Sequence, residues 1–393
     1  MSSIDKLVDV CHREMFNGPQ TDLEGEVRGY VASAAIHGAM MIDRLIAYDG
    51  AIDPTLLADR IERQMAADGV SGPVASACAR RAATAAAALS RTLHAPGEKG
   101  RSRPDAIGRV QMTSALRPPI RPLAVPASPF VARDVWVDGT RLRYVDVGPR
   151  DAATTVLLIH GHSSRLEEVD LLTGALSGEH RVLAVDLPGC GYSDHPPIKY
   201  SVDLYERTLI GFLDVLGVQK VVPAGGSLGG NLALRLGLRH APRVSRVVSW
   251  APAGWGPVRL DLALANLVNE EMFWFVLGRQ AEKWYSADNP KREELLHEAF
   301  AYRREVLSAG FLNAYKNIAN DQVSRSLEAD APAIRVPTLL LVGKHDHALD
   351  MYASVKHLAA VIPGAKLVET ESKHSILDEH PQVLIDAIRE FLA

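Results

Sequence analysis

The chain has 393 residues, 47% of them hydrophobic and 23% charged, and a net charge of -4. That length exceeds one compact core of average size, so two or more units of ordinary soluble composition are expected. The mild negative balance offers nothing to nucleic acid or an anionic membrane surface, three scattered cysteines (Cys11, Cys78, Cys190) make no disulfide framework, and no run reaches the ~20 apolar residues of a membrane span.

The start, Met1 to Lys6, lacks a basic segment followed by an apolar run, so no signal peptide is expected and the cytoplasm is the default location. Residues 1–94 read as an all-helical accessory domain. Ile4, Leu7, Val8, Cys11 and Met15 recur at helical spacing, and Asp53-Pro54 is an N-cap followed by proline at the first helical position, with Leu57, Ile61 and Met65 behind it. No catalytic constellation occurs there; packing on the main body or self-association into a homo-oligomer is the expected role. Residues 95–129 then carry seven prolines and six basic residues, the composition of an extended linker.

From residue 130 the pattern turns to strands. Val135–Val137, the Asp138-Gly139 turn and Leu142–Val147 predict an antiparallel hairpin. Thr155–Ile159 and Arg181–Asp186 predict buried strands, and a helix is expected over Val202–Leu216. Val221 to Gly230 then joins an apolar run to Gly225-x-Ser227-x-Gly229 and a helical segment, the strand–turn–helix context of a nucleophile elbow. Such a turn holds the serine in strained backbone and needs small residues two positions away on either side. Gly226 is expected to leave room beside Ser227, and Pro223, lacking an amide, is expected to disturb the strand locally. Further strands are expected at Val244–Trp250, Thr338–Val342 and Ala365–Thr370, and a closing helix at Pro381–Leu392. Strands alternating with helices imply a mostly parallel sheet with helices on both faces.

The ordered set His160-Gly161, Asp186 to Ser193, Gly225 to Gly230, Gly343 to Asp346 and Lys373-His374 resembles the α/β-hydrolase superfamily over residues 131–393. The resemblance implies an α/β-hydrolase core in two parts, 130–254 and 336–393, interrupted by a helical cap at 255–335. It implies a triad in the order Ser227, Asp346, His374, with an oxyanion hole from the amides of Leu228 and His162. Asp350, four residues after Asp346, is the alternative acid. The His160/His162 and His345/His347 pairs fall in these loops and are not read as metal ligands, and neither a metal nor an organic cofactor is expected. Cys190 reads as a space-filling residue and His380 as a surface or capping one.

Within the cap, helices are expected at Leu260–Leu277, Arg279–Tyr285, Lys291–Ser308 and Gly310–Ala329; Trp255, Phe273 and Trp274 are the candidates to line an apolar substrate pocket. The expected activity is a carboxylesterase working through an acyl-enzyme on a small-molecule ester. The alternatives are a carbon–carbon bond hydrolase for dienoate ring-cleavage products, a thioesterase or lactonase, and, from a different class, a non-catalytic binding member of the fold.

Overall fold

The computed structural model describes residues 128–256, 270–281 and 283–393, together with isolated helical positions between 55 and 84. The helices expected over the rest of residues 1–94, the self-association expected of them, and the linker as far as residue 127 lie outside the described residues. The chain divides into two compact units: Met1–Ile120 with Arg259–Gly278, and Arg121–Val258 with Arg279–Ala393. In the first unit Ala58, Ile61, Ala79, Ala82 and Ala83 are buried on helical turns. The segment 259–278, expected inside the cap, groups with that unit, and the cap residues from Arg279 onward group with the second.

The second unit holds an eight-stranded sheet. The hairpin β1 (Arg133–Val137) and β2 (Thr140–Val147) turns through Asp138 and Gly139, both at positive φ (48° and 79°), as a two-residue hairpin turn matching strand twist requires. Then come β3 (Thr155–Ile159), α1 (Asp170–Leu176), β4 (Arg181–Val185), α2 (Val202–Val215), β5 (Val222–Gly226), α3 (Leu228–Arg239) and β6 (Val247–Trp250). The helices α4 (Glu270–Ala281), α5 (Arg292–Glu305) and α6 (Ala309–Ser324) follow. The chain closes with β7 (Thr338–Gly343), α7 (Met351–Val361), β8 (Lys366–Thr370), α8 (Ile376–Glu379) and α9 (Pro381–Leu392). No described helix is long and apolar enough to cross a membrane.

The sheet order is β1-β2-β4-β3-β5-β6-β7-β8, antiparallel from β1 to β4 and parallel from β4 to β8. The parallel strands are near-continuous Val, Leu and Ile runs because helices cover both faces, and two apolar cores result. Leu157, Val185, Val247 and Leu340 belong to one core, and Leu158, Ala184, Val248 and Leu341 to the other.

Pro223 does mark an irregularity, on one side only. Against β3 the register runs through it, Leu157 opposite Pro223. Against β6, Val221 bridges Val244 while Ala224 pairs with Val248, so the partner gains one residue where the proline has no amide to offer.

The helix α7, with α1 and the short turn before it, was not foreseen, since its apolar residues between β7 and β8 resemble loop filling until packed. The expected cap helices appear as α4, α5 and α6, with α4 running on to Ala281 where a break near residue 278 was expected. Replacing the fully buried Leu340 by alanine should cost about 2–5 kcal/mol in urea unfolding, through lost transfer energy and the cavity left in the sheet.

Candidate active site

Four loops leave the C-terminal ends of β3, β5, β7 and β8, all at one edge of the sheet, the edge where open α/β sheets bind ligands. The β5 loop is the elbow. Ser227 has φ 52° and ψ -113°, a sparsely populated conformation for a residue with a side chain. The backbone around it is tied on both sides: the Ser227 amide donates to the Trp250 carbonyl at 3.0 Å, and its own carbonyl accepts from Asn231 at 2.9 Å and Ala253 at 3.2 Å. A Cβ on Gly229 would collide with the Ile159 carbonyl, so that position must be glycine for α3 to press against β3. Gly226 does not leave room beside Ser227 as expected. The Trp250 indole occupies the place a side chain would take, because β6 is the neighbour of β5 and Trp250 is opposite Gly226.

Asp346 and His374 meet. The Asp346 Oδ2 lies 2.7 Å from His374 Nδ1, and its Oδ1 accepts the Ala348 amide at 3.0 Å. The carboxylate is 1% exposed. Amides of Lys344 and His345 donate to the carbonyls of Thr370 and Ser372, locking the acid loop to the histidine loop at 2.8 and 3.0 Å. Asp350 instead begins α7 in a left-handed conformation and is exposed. Burial pushes the His374 imidazole down, but the charge and hydrogen bond of Asp346, with the charge of Glu168, outweigh it and hold the pKa above its ordinary value.

The Leu228 amide is the first of α3, in the turn whose N–H groups have no intrahelical carbonyl to bind. His162 sits in the β3 loop. Its Nε2 donates to the Tyr315 carbonyl at 2.9 Å, its ring stacks on Tyr315 at 4.6 Å, and burial takes its pKa down to about 4, so the ring is neutral. His160 is fully buried and uses both nitrogens: Nδ1 donates to the Gly161 carbonyl at 2.7 Å, and Nε2 accepts the Leu187 amide at 3.1 Å. Cys190 is buried, and burial raises its thiol to about 12, which fits the space-filling reading. His380 is half-buried at the start of α9.

Of the pocket candidates, Trp255 is fully buried within the apolar core that contains Leu340, a packing position. Phe273 and Trp274 belong to the first unit, packed edge to face at 4.9 Å, with Phe273 fully buried.

Arg303 on α5 was not foreseen. It is 5% exposed, its Nε donates to Ser163 Oγ at 3.2 Å and its Nη1 to the Ala299 carbonyl at 3.0 Å. Its guanidinium lies 5.2 Å from the centre of the Trp284 ring, and the Trp284 carbonyl accepts the amide of Ser375, next to His374. Arg303 therefore sits between the β3 loop and the histidine loop. Among the described residues no carboxylate forms an ion pair with it; Glu168 acts on it only through space, and burial holds its pKa below the ordinary arginine value. The sequence signal was an arginine in register with Leu296 and Phe300 on the apolar face of a helix.

Three comparisons bear on this arrangement. The model of the alpha/beta hydrolase family matches residues 156–387. A 2-hydroxymuconate semialdehyde hydrolase of Pseudomonas putida is 31% identical over 278 residues, covering 68% of this chain and 95% of that protein. A 2-hydroxy-6-oxo-2,4-heptadienoate hydrolase of Pseudomonas putida is 26% identical over 286 residues, covering 67% of this chain and 96% of the other. The crystal structure of the enol-lactonase from Burkholderia xenovorans superposes with a TM-score of 0.59 at 26% identity, covering 66% of this chain and 99% of that one.

A histidine that serves as base must be neutral, so a raised pKa moves the acidic limb of kcat/KM above the ordinary 6.5. In Asp346→Asn the opposing charge is gone and burial dominates. The limb should then shift to lower pH, while kcat falls by about 10⁴; a pH–rate profile of both proteins reads the two effects.

Proposed function

This chain belongs to the alpha/beta hydrolase family, and within it we propose a serine hydrolase that cleaves a carbon–carbon bond next to a ketone in a dienoate ring-cleavage product. Ser227 is the nucleophile, His374 the base and Asp346 its orienting acid, with the amides of Leu228 and His162 receiving the oxyanion. The observation that carries the choice of substrate is Arg303, a buried guanidinium with no carboxylate paired to it among the described residues. A buried charge without a partner is costly, and a substrate carboxylate supplies the partner. The names of the two relatives, a muconate derivative and a heptadienoate, describe substrates of that charge. The expected carboxylesterase thus gives way to what stood as its alternative.

The chemistry follows from the groups in place. His374 takes the Ser227 hydroxyl proton as Oγ attacks the ketone carbon, and the two amides hold the resulting oxyanion. In the 2-oxo tautomer of the substrate, whose 2-hydroxyl proton has moved to the carbon next to the ketone, collapse breaks the carbon–carbon bond; its electron pair runs through the alkene to the 2-oxo oxygen, which takes the proton back from the imidazolium. An acyl group stays on Ser227. Water, deprotonated by His374, then releases it as a carboxylic acid. Asp346 stabilises the imidazolium at both stages.

A second reading keeps the ester bond, and the likeness to an enol-lactonase favours it. The same acyl-enzyme serves both, the leaving group being an enol oxygen in place of carbon.

The test is turnover of 2-hydroxy-6-oxo-2,4-heptadienoate, followed by loss of its visible absorbance, beside an enol lactone and 4-nitrophenyl acetate. Activity on the dienoate that disappears in Ser227→Ala is the expected result; activity on the lactone alone moves the ester reading to first place. Arg303→Gln should lower kcat/KM for the dienoate by roughly a hundred- to a thousandfold and for the neutral acetate far less. Equal losses on both substrates would remove Arg303 from carboxylate recognition.

A further inference from the structure

The turn after β3 is held from outside by the cap at three successive residues. Tyr315 on α6 receives the His162 Nε2 proton on its carbonyl and stacks on the ring. Arg303 on α5 donates to Ser163 Oγ. Tyr302, beside it and 2% exposed, donates its hydroxyl to the Ser164 carbonyl at 2.8 Å and accepts the Gly191 amide at 2.9 Å. That one hydroxyl fastens the β3 loop, the β4 loop and the cap together.

The turn needs such support. Ser163 has φ 54°, a conformation a residue with a side chain adopts only when its surroundings impose it. Within the loop, Ser164 donates to the Gly161 carbonyl at 3.3 Å, His160 Nδ1 donates to the same carbonyl at 2.7 Å, and the Gly161 amide donates to Glu168 Oε1 at 2.9 Å. Glu168 is itself exposed. Residues 162, 163 and 164 are each fastened by a residue of α5 or α6.

We infer that Tyr302 is a positioning residue for the oxyanion hole. By fixing the Ser164 carbonyl and the Gly191 amide, its hydroxyl sets the path of residues 162–164, and so the direction in which the His162 amide points. The cap is then a structural part of the hole as well as its cover. This inference rests on the serine-hydrolase reading above.

Tyr302→Phe removes the hydroxyl and keeps the ring that packs against Arg165 and Tyr192. Small displacements of a preorganised donor cost rate without costing ground-state binding, so kcat should fall about 10- to 100-fold with KM changed by less than about threefold. The full chain is assayed on 4-nitrophenyl acetate and on the dienoate, with rates normalised to active sites titrated by a fluorophosphonate, so unfolded protein is not counted. Hydrogen exchange over peptides spanning 161–165 and 188–192 is followed in parallel and should quicken in both. A purely structural tyrosine would lower the melting temperature and leave normalised kcat and KM alone. Normalised kcat within twofold of wild type overturns the inference, whatever the exchange shows; so does a lowered kcat with exchange unchanged. Retention of turnover in Ser227→Ala is a different failure, that of the serine-hydrolase reading, and it takes the oxyanion hole with it. If Tyr302→Phe does not fold, Tyr302→Met, which fills the ring volume without a hydroxyl, gives the same readings.

Discussion

The carbonyl of Ile159 and the backbone of Gly229 are in contact, and the site depends on that approach. The N-terminus of α3 reaches the end of β3 only because position 229 has no side chain, and the chain between β5 and α3 must then turn at Ser227 with φ 52°. The strain is confined to one residue and is held there by backbone bonds to Trp250, Asn231 and Ala253. A hydroxyl at the tip of this turn stands at the edge of the sheet, with the first amide of α3 beside it. The parallel order from β3 to β8 delivers the other loops to the same edge, so residues 28 to 212 positions apart in sequence need no further device to bring them there.

Charge is distributed around this edge with a definite pattern. Asp346 is buried and doubly hydrogen-bonded, and its charge and hydrogen bond raise the pKa of His374. Burial lowers the pKa of His162 to about 4 and leaves its ring neutral, while both ring nitrogens of His160 are taken up by hydrogen bonds to the backbone. Arg303 brings a positive charge from α5 to the flank of the β3 loop. The helices α5 and α6 therefore do two things at once: they hold the β3 turn and supply a cation.

Much of this was readable from residue order. The hairpin turn at Asp138-Gly139, the strand at Thr155–Ile159 and the helix at Pro381–Leu392 follow from local rules of turn chemistry and periodicity, and the structure has them at those positions. The expected disturbance at Pro223 was legible because a missing amide is a local fact; that it fell on the β6 side was not, because that depends on which neighbour the amide would have faced. Gly226 was misjudged for the same reason. An absent side chain signals space in a sequence, and here Trp250 from the adjacent strand fills it. Trp255 looked like a ligand-facing aromatic and is a core residue, since apolarity alone does not distinguish a pocket wall from packing.

The sequence by itself determined the succession of strands, the elbow at Ser227 and the loops bearing Asp346 and His374, since each is a short-range pattern written in neighbouring residues. It determined the family for the same reason, through motifs of two to eight residues in a set order. Only the tertiary structure decided that Asp346 and not Asp350 meets the imidazole, that Tyr302 joins two loops more than a hundred residues away to the cap, and that Arg303 is buried without an ion-pair partner among the described residues. These are facts about neighbours distant in the chain. Periodicity tells which face of a helix turns inward, and packing alone tells what that face meets.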